Sequence, residues 1–112
     1  MDASSAVTGA EALELTHDGA WLMDVREPVE WEIGHAPQAH LLPMSTITER
    51  LGEVPTGRRL LVICHSGARS LRVAEWLRDA GYDAVNVSGG MVAWADAGGE
   101  LAADGPAEPR VD

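Results

Sequence analysis

The sequence has a single cysteine, no lysine and no apolar run long enough to cross a bilayer. One cysteine excludes an internal disulfide, so packing and hydrogen bonding have to hold the fold together. The bases are eight arginines against 18 acids, a formal net charge of −10. Such a surface repels phosphate backbones and anionic lipid, so neither nucleic acid nor a membrane is an expected partner, and any anion site has to be built locally. No stretch approaches the ~20 apolar residues of a membrane helix. The opening residues, "MDASSAVTGAEALEL", lack both the basic and the uninterrupted apolar regions of an export signal. A cytoplasmic location is the expectation, since a lone thiol survives in a reducing compartment.

What is present suits one modest core. The 112 residues, 46% of them hydrophobic, fit a single domain, and short apolar runs alternate with helix-period segments as in an α/β fold with a mainly parallel sheet. Ala6-Val7 is a brief strand candidate. Thr8 and Glu11 have the spacing of a capping box and predict a helix through Leu15. Ala20–Val25 reads as a buried strand, and Glu27-Pro28 opens a helix that Gly34 stops near Ile33. Ala39–Met44 is another strand candidate. Ser45–Val54 reads as a helix with Ser45 as N-cap and Gly52 near its end.

Arg59–Cys64 is the most strand-like run in the chain. Beyond it, Val73, Trp76, Leu77 and Ala80 form a stripe at helical spacing, which predicts a helix from about Ser70 to a Gly81 cap with Trp76 in the core. Ala84–Val87 is the last strand, followed by a Ser88-Gly89-Gly90 turn and a closing helix over Met91–Gly98. The composition of 99–112, rich in Gly, Ala, Pro and acids, predicts a mobile acidic tail after a domain over 1–98.

Cys64 sits where a buried strand ends and the chain turns toward a helix, the edge at which α/β sheets place ligands. Two readings are open. A free cysteine at a strand end is commonly a small buried hydrophobe. Alternatively, the small residues His65, Ser66, Gly67 and Ala68 let successive amides converge, Gly67 supplies a left-handed conformation, and Arg69 and the helix start at Ser70 add positive charge. Thiols in such surroundings fall to roughly 3.5–7.5 from about 8.5 and become nucleophilic at neutral pH.

Three motifs, in order, carry a family likeness. "DVREPVEWEIGHAPQA" pairs Asp24 and Arg26 with a downstream aromatic, Gly-His and a Pro-containing turn; "CHSGARS" is a Cys-x-x-Gly-x-Arg-Ser loop; and "SGGMVAW" closes the set. From about Thr8 to Gly98 the chain resembles a single-domain rhodanese-like sulfurtransferase. The resemblance implies a five-stranded, mainly parallel sheet with helices on both faces, and a Cys64 persulfide that carries sulfur from a small anionic donor such as thiosulfate to cyanide, a thiol or a protein acceptor. It implies no cofactor and no metal. His65, Ser66, Gly67, Ala68, Arg69 and Ser70 would bind the persulfide and substrate, with Asp24 and Arg26 in support.

Four residues separate Cys64 from Arg69, whereas the phosphatases and arsenate reductases related to this fold carry five. A tighter ring of amides suits one terminal sulfur better than a tetrahedral oxyanion, which ranks sulfur transfer above phosphoryl transfer. Three function classes follow: a sulfurtransferase, a persulfide carrier serving a partner protein, and a regulatory domain without transfer activity. Glu30 departs from the two-domain thiosulfate enzymes, which carry an anion-binding Arg at that place, and His65 stands where a charged residue or Gln is frequent. Both departures weigh against thiosulfate as the natural donor.

Overall fold

The computed structural model describes residues 6–112. Strands β1 (Ala6–Val7), β2 (Trp21–Asp24), β3 (His40–Leu41), β4 (Leu60–Ile63) and β5 (Ala84–Val87) form one sheet in the order β1-β5-β4-β2-β3. Every neighbouring pair is parallel, so the mainly parallel sheet expected from the sequence is parallel throughout. The helices are α1 (Gly9–His17), α2 (Pro28–Ile33), α3 (Ala68–Asp79) and α4 (Gly90–Asp96). The fold is α/β with helices on both faces of the sheet.

The strand pleat distributes the core. On β4, Leu60 and Val62 share a face with Val73, Ala74 and Leu77 of α3, whereas Leu61 and Ile63 face Ala12 of α1 and Met91 and Trp94 of α4. Cys64 continues the Leu60–Val62 alternation and therefore emerges under α3. Since β4 lies between β5 and β2, the cysteine leaves the sheet near its centre, where both faces are already covered.

The capping box at α1 is present: the Glu11 amide donates to Thr8 Oγ1 at 3.0 Å and the Thr8 amide to Glu11 Oε1 at 2.8 Å. Two expectations are corrected. Ser45–Val54 holds two short 3₁₀ turns, Ile47–Glu49 and Leu51–Glu53, in place of a helix. Ser45 does not cap either turn; its hydroxyl donates to Glu27 Oε1 at 2.8 Å. β-Branched Thr46, Ile47 and Thr48 disfavour a continuous helix, and Thr46 folds back so that its amide donates to the Pro43 carbonyl at 2.9 Å. Trp76, placed in the core by its spacing, is 38% exposed, while Val73 and Leu77 beside it are buried. The apolar stripe of α3 is narrower than its sequence suggests.

Residues 99–112 run back beside α2. The His35 and Ala102 amides exchange bonds with each other's carbonyls at 2.9 and 2.8 Å, the Asp104 amide donates to Glu32 O, and the Arg110 amide donates to Ile33 O. No helix among the described residues is long and apolar enough to cross a membrane.

Candidate active site

The loop after β4 folds around one sulfur atom. Cys64 is 1% exposed. Its Sγ accepts from the Gly67 amide at 3.2 Å, from the Ser70 amide at 3.4 Å and from the Ser70 hydroxyl at 3.2 Å. Gly67 makes this curvature possible: its φ of +111° lies in the left-handed region that favours glycine, and it sits immediately before α3. The first amides of a helix have no partner within the helix, so the start of α3 presents donors to the thiolate.

Burial pushes the Cys64 thiol up, because the charged form loses water, yet the net shift is downward. The Ser70 hydroxyl, the Ser70 amide, the Gly67 amide and the Arg69 amide, in that order of effect, favour the thiolate and outweigh the burial. The expected positive charge reaches this balance differently from the sequence reading. The Arg69 guanidinium does not touch Sγ; it forms a two-pronged pair with Glu30, Nη1 to Oε1 at 2.8 Å and Nη2 to Oε2 at 2.9 Å. That pair holds the Glu30 carboxyl down at about 2.

The start of α4 holds the loop from behind. The Met91 amide donates to the Cys64 carbonyl at 2.8 Å and the Val92 amide to the His65 carbonyl at 3.2 Å. Such close approach requires a residue without a side chain at Gly90, where a Cβ would collide with both carbonyls, and whose φ is +56°. The Gly-Gly motif thus serves the cysteine loop through backbone contact.

Asp24 and Arg26 are buried, 0% and 2% exposed. Arg26 Nη2 donates to Asp24 Oδ2 at 2.9 Å, Nε donates to both carboxylate oxygens, and Nη2 also donates to the Gly34 carbonyl at 2.7 Å. A satisfied buried pair of this kind fixes geometry, here that of the α2 segment beside the cysteine loop. His35, part of the Gly-His motif, stacks on Trp31 with ring centroids 3.6 Å apart, and its Nδ1 bonds the Trp31 carbonyl at 2.7 Å. Among the described residues, no three His, Cys, Asp or Glu side chains are grouped to hold a metal ion.

Of the candidate residues, Cys64, Gly67, Arg69 and Ser70 converge on the sulfur through backbone or hydroxyl groups. Ser66 and Ala68 are exposed on the outside of the turn. His65 lines a cleft of about 220 Å³ with Arg26, Val29, Glu30, Ile33 and Asp112. Asn86 is absent from the sequence-based set. It lies on β5, 5% exposed, and its Oδ1 is 2.5 Å from the Ser70 hydroxyl. A polar residue inside the apolar run "AVNV" was its available signal.

The rhodanese-like domain family matches residues 8–97. The chain is 43% identical over 75 residues to a sulfurtransferase of Allochromatium vinosum, the match covering 66% of this chain and 70% of that protein. It is 44% identical over 77 residues to a probable adenylyltransferase/sulfurtransferase MoeZ of Mycobacterium tuberculosis; this match covers 66% of the chain and 20% of that longer protein. The chain therefore spans about a fifth of the mycobacterial relative. A rhodanese-related protein from Thermoplasma volcanium superposes with a TM-score of 0.80 at 28% identity, covering 87% of this chain and 96% of that one.

Proposed function

Because this chain belongs to the rhodanese-like domain family, we propose that it is a sulfurtransferase that carries sulfane sulfur as a persulfide on Cys64. The observation that carries this reading is the set of three bonds that Cys64 Sγ accepts from the Gly67 amide and from the amide and hydroxyl of Ser70. Donors of this kind favour a thiolate at rest and an anionic outer sulfur after loading.

The transfer divides into two displacements. The Cys64 thiolate attacks the outer sulfur of a donor such as thiosulfate. A new S–S bond forms, the donor's own S–S bond breaks, and sulfite leaves with the electron pair. In the second step a nucleophile, cyanide or a thiol, bonds to the outer sulfur, and the Cys64 thiolate leaves with the electrons of the persulfide bond. The loop amides from His65 to Ser70 would surround the outer sulfur, and oriented amides commonly contribute a few kcal/mol each to such a charged step.

A carrier role is the second reading, supported by the match to one fifth of a longer protein with adenylyltransferase and sulfurtransferase in its name. Steady-state rates of wild type and Cys64→Ser with thiosulfate, mercaptopyruvate, glutathione persulfide and a phosphate ester test the proposal. The expected result is turnover of at least one sulfur donor, lost in Cys64→Ser, with no ester hydrolysis. A carrier would load from a donor but discharge slowly to small acceptors. A Cys64→Ser protein as active as wild type would remove the basis of both readings.

A further inference from the structure

The cleft beside Cys64 contains positive charge, but all of it is engaged. Arg26, on its wall, is bonded through Nε and Nη2 to the Asp24 carboxylate. Arg69, the cation of the cysteine loop, has both Nη atoms on Glu30, and Glu30 itself lines the cleft. The remaining acid of the lining, Asp112, accepts from Arg110 Nε at 2.7 Å. His65 contributes its imidazole ring to the lining. An anion entering here meets carboxylates already seated on the guanidinium groups it would need.

We propose that Glu30 determines donor specificity, holding Arg69 so that the cleft admits sulfur carriers that are uncharged around the reacting sulfur, such as organic polysulfides, and disfavours small anions such as thiosulfate. The proposal rests on the sulfur-transfer reading for its substrate class, and on the geometry of the cleft for its sign. A dianion would have to displace Glu30 from Arg69, breaking two charge-assisted bonds of 2.8 and 2.9 Å. An uncharged donor leaves the pair intact. Attack of the Cys64 thiolate on the central sulfur of a dialkyl trisulfide forms a Cys64 trisulfide and releases an alkyl thiolate. An external thiol then takes the terminal alkylthio group as a disulfide, leaving the electron pair on the Cys64 persulfide. Glu30 also accepts from the Glu27 amide at 3.0 Å, so its carboxylate is anchored to α2 on one side and to the cysteine loop on the other. With its carboxyl held at about 2, Glu30 is ionised at neutral pH.

Two alkylating agents that differ in charge test the charge sign without requiring sulfur transfer. Iodoacetamide and iodoacetate both react by attack of the Cys64 thiolate on carbon, forming an S–C bond and releasing iodide, so the ratio of their rates cancels the thiolate population. The iodoacetamide-to-iodoacetate ratio should fall roughly fivefold from wild type to Glu30→Gln, a size expected for one nearby charge in a partly solvated cleft. Gln retains an acceptor for the Glu27 amide, and Glu30→Ala, which cannot hold Arg69 at all, should show the same direction. In parallel, with the same thiol present as acceptor for both donors, kcat/KM for thiosulfate should rise relative to that for dimethyl trisulfide in both variants. An unchanged alkylation ratio in two folded variants would overturn the charge role of Glu30. A fallen alkylation ratio with unchanged donor preference would overturn the assignment of donor specificity. A fallen ratio with no sulfur transfer from any donor, in wild type or variant, would keep the electrostatic role and overturn the sulfurtransferase reading instead.

Discussion

The Ser70 hydroxyl lies 3.2 Å from Cys64 Sγ and 2.5 Å from Asn86 Oδ1, and it has one proton to donate. With Cys64 as a thiol, the S–H donates to Ser70 Oγ and Ser70 donates to Asn86. With Cys64 as a thiolate, the Ser70 proton turns to sulfur, so Sγ and Asn86 Oδ1 compete for it. Loss or gain of the thiol proton is thereby linked to a buried chain that ends on β5.

Ser70→Ala should slow alkylation of Cys64 by iodoacetamide at neutral pH by roughly tenfold, the worth of one hydrogen bond to a charged group. Asn86→Leu should act in the opposite direction and more weakly, because it removes the acceptor that competes with Sγ for the serine's one proton and leaves the serine in place. The pH profile of alkylation separates this from a general loosening of the loop: the midpoint should move up in Ser70→Ala and down in Asn86→Leu, with the plateau rate at high pH retained.

Breaking the buried pair should cost more than removing it. Arg26→Leu leaves the Asp24 carboxylate buried without its partner, and a loss of about 3–5 kcal/mol is expected in urea unfolding. Asp24→Asn combined with Arg26→Leu should recover part of that loss. Equal destabilisation by the single and double variants would contradict the assigned pairing.

The Glu30–Arg69 pair gives stability a defined pH dependence. The Glu30 carboxyl is held at about 2 against an ordinary 4.5. The unfolded chain therefore binds the proton first as pH falls, and the contribution is full above about 4.5 and lost toward 2. The difference in urea midpoint between wild type and Glu30→Gln should narrow as pH is lowered from 6 to about 2.5. A constant difference across that range would mean that the pair adds no stability.

Two glycines with positive φ separate backbone strain from collision. Gly57 has φ +75° and open space where a side chain would go, whereas Gly90 has φ +56° and the carbonyls of Cys64 and His65 in the way. Gly57→Ala should cost about 1–2 kcal/mol of stability with activity retained. Gly90→Ala should lose activity more than tenfold even where it remains folded, since the loop has to move to accommodate it.

The sequence carried the sheet and the placement of the cysteine loop well because both are local signals. The apolar run into Cys64, the small residues after it and the glycine before α3 lie within one short stretch, and each has a direct geometric meaning. The partnership of Glu30 with Arg69 is a contact across 39 positions, and spacing within a single chain gives no sign of it. Asn86 carried a local signal as a polar residue in a strand otherwise apolar, but its bond to Ser70 crosses 16 positions, which spacing does not show. The failed helix at Ser45–Val54 shows the limit of periodicity: its apolar positions fit a helix, but three β-branched or hydroxyl residues and the Pro43 carbonyl favoured tight turns. Residues 99–112 were read from composition alone, and composition does not register the backbone bonds between Ala102 and His35.

The central claim is that Cys64 holds the sulfur between donor and acceptor. With no second cysteine in the chain, no internal disulfide can discharge the persulfide, and the loaded protein has to wait for an external acceptor. Reduced protein incubated with excess donor and then desalted should gain the mass of one sulfur atom, mapped to the peptide containing Cys64, and should return to its original mass on addition of cyanide with release of thiocyanate. Turnover of donor with no adduct trapped under rapid quench would contradict the account, because the sulfur would then pass directly from donor to acceptor.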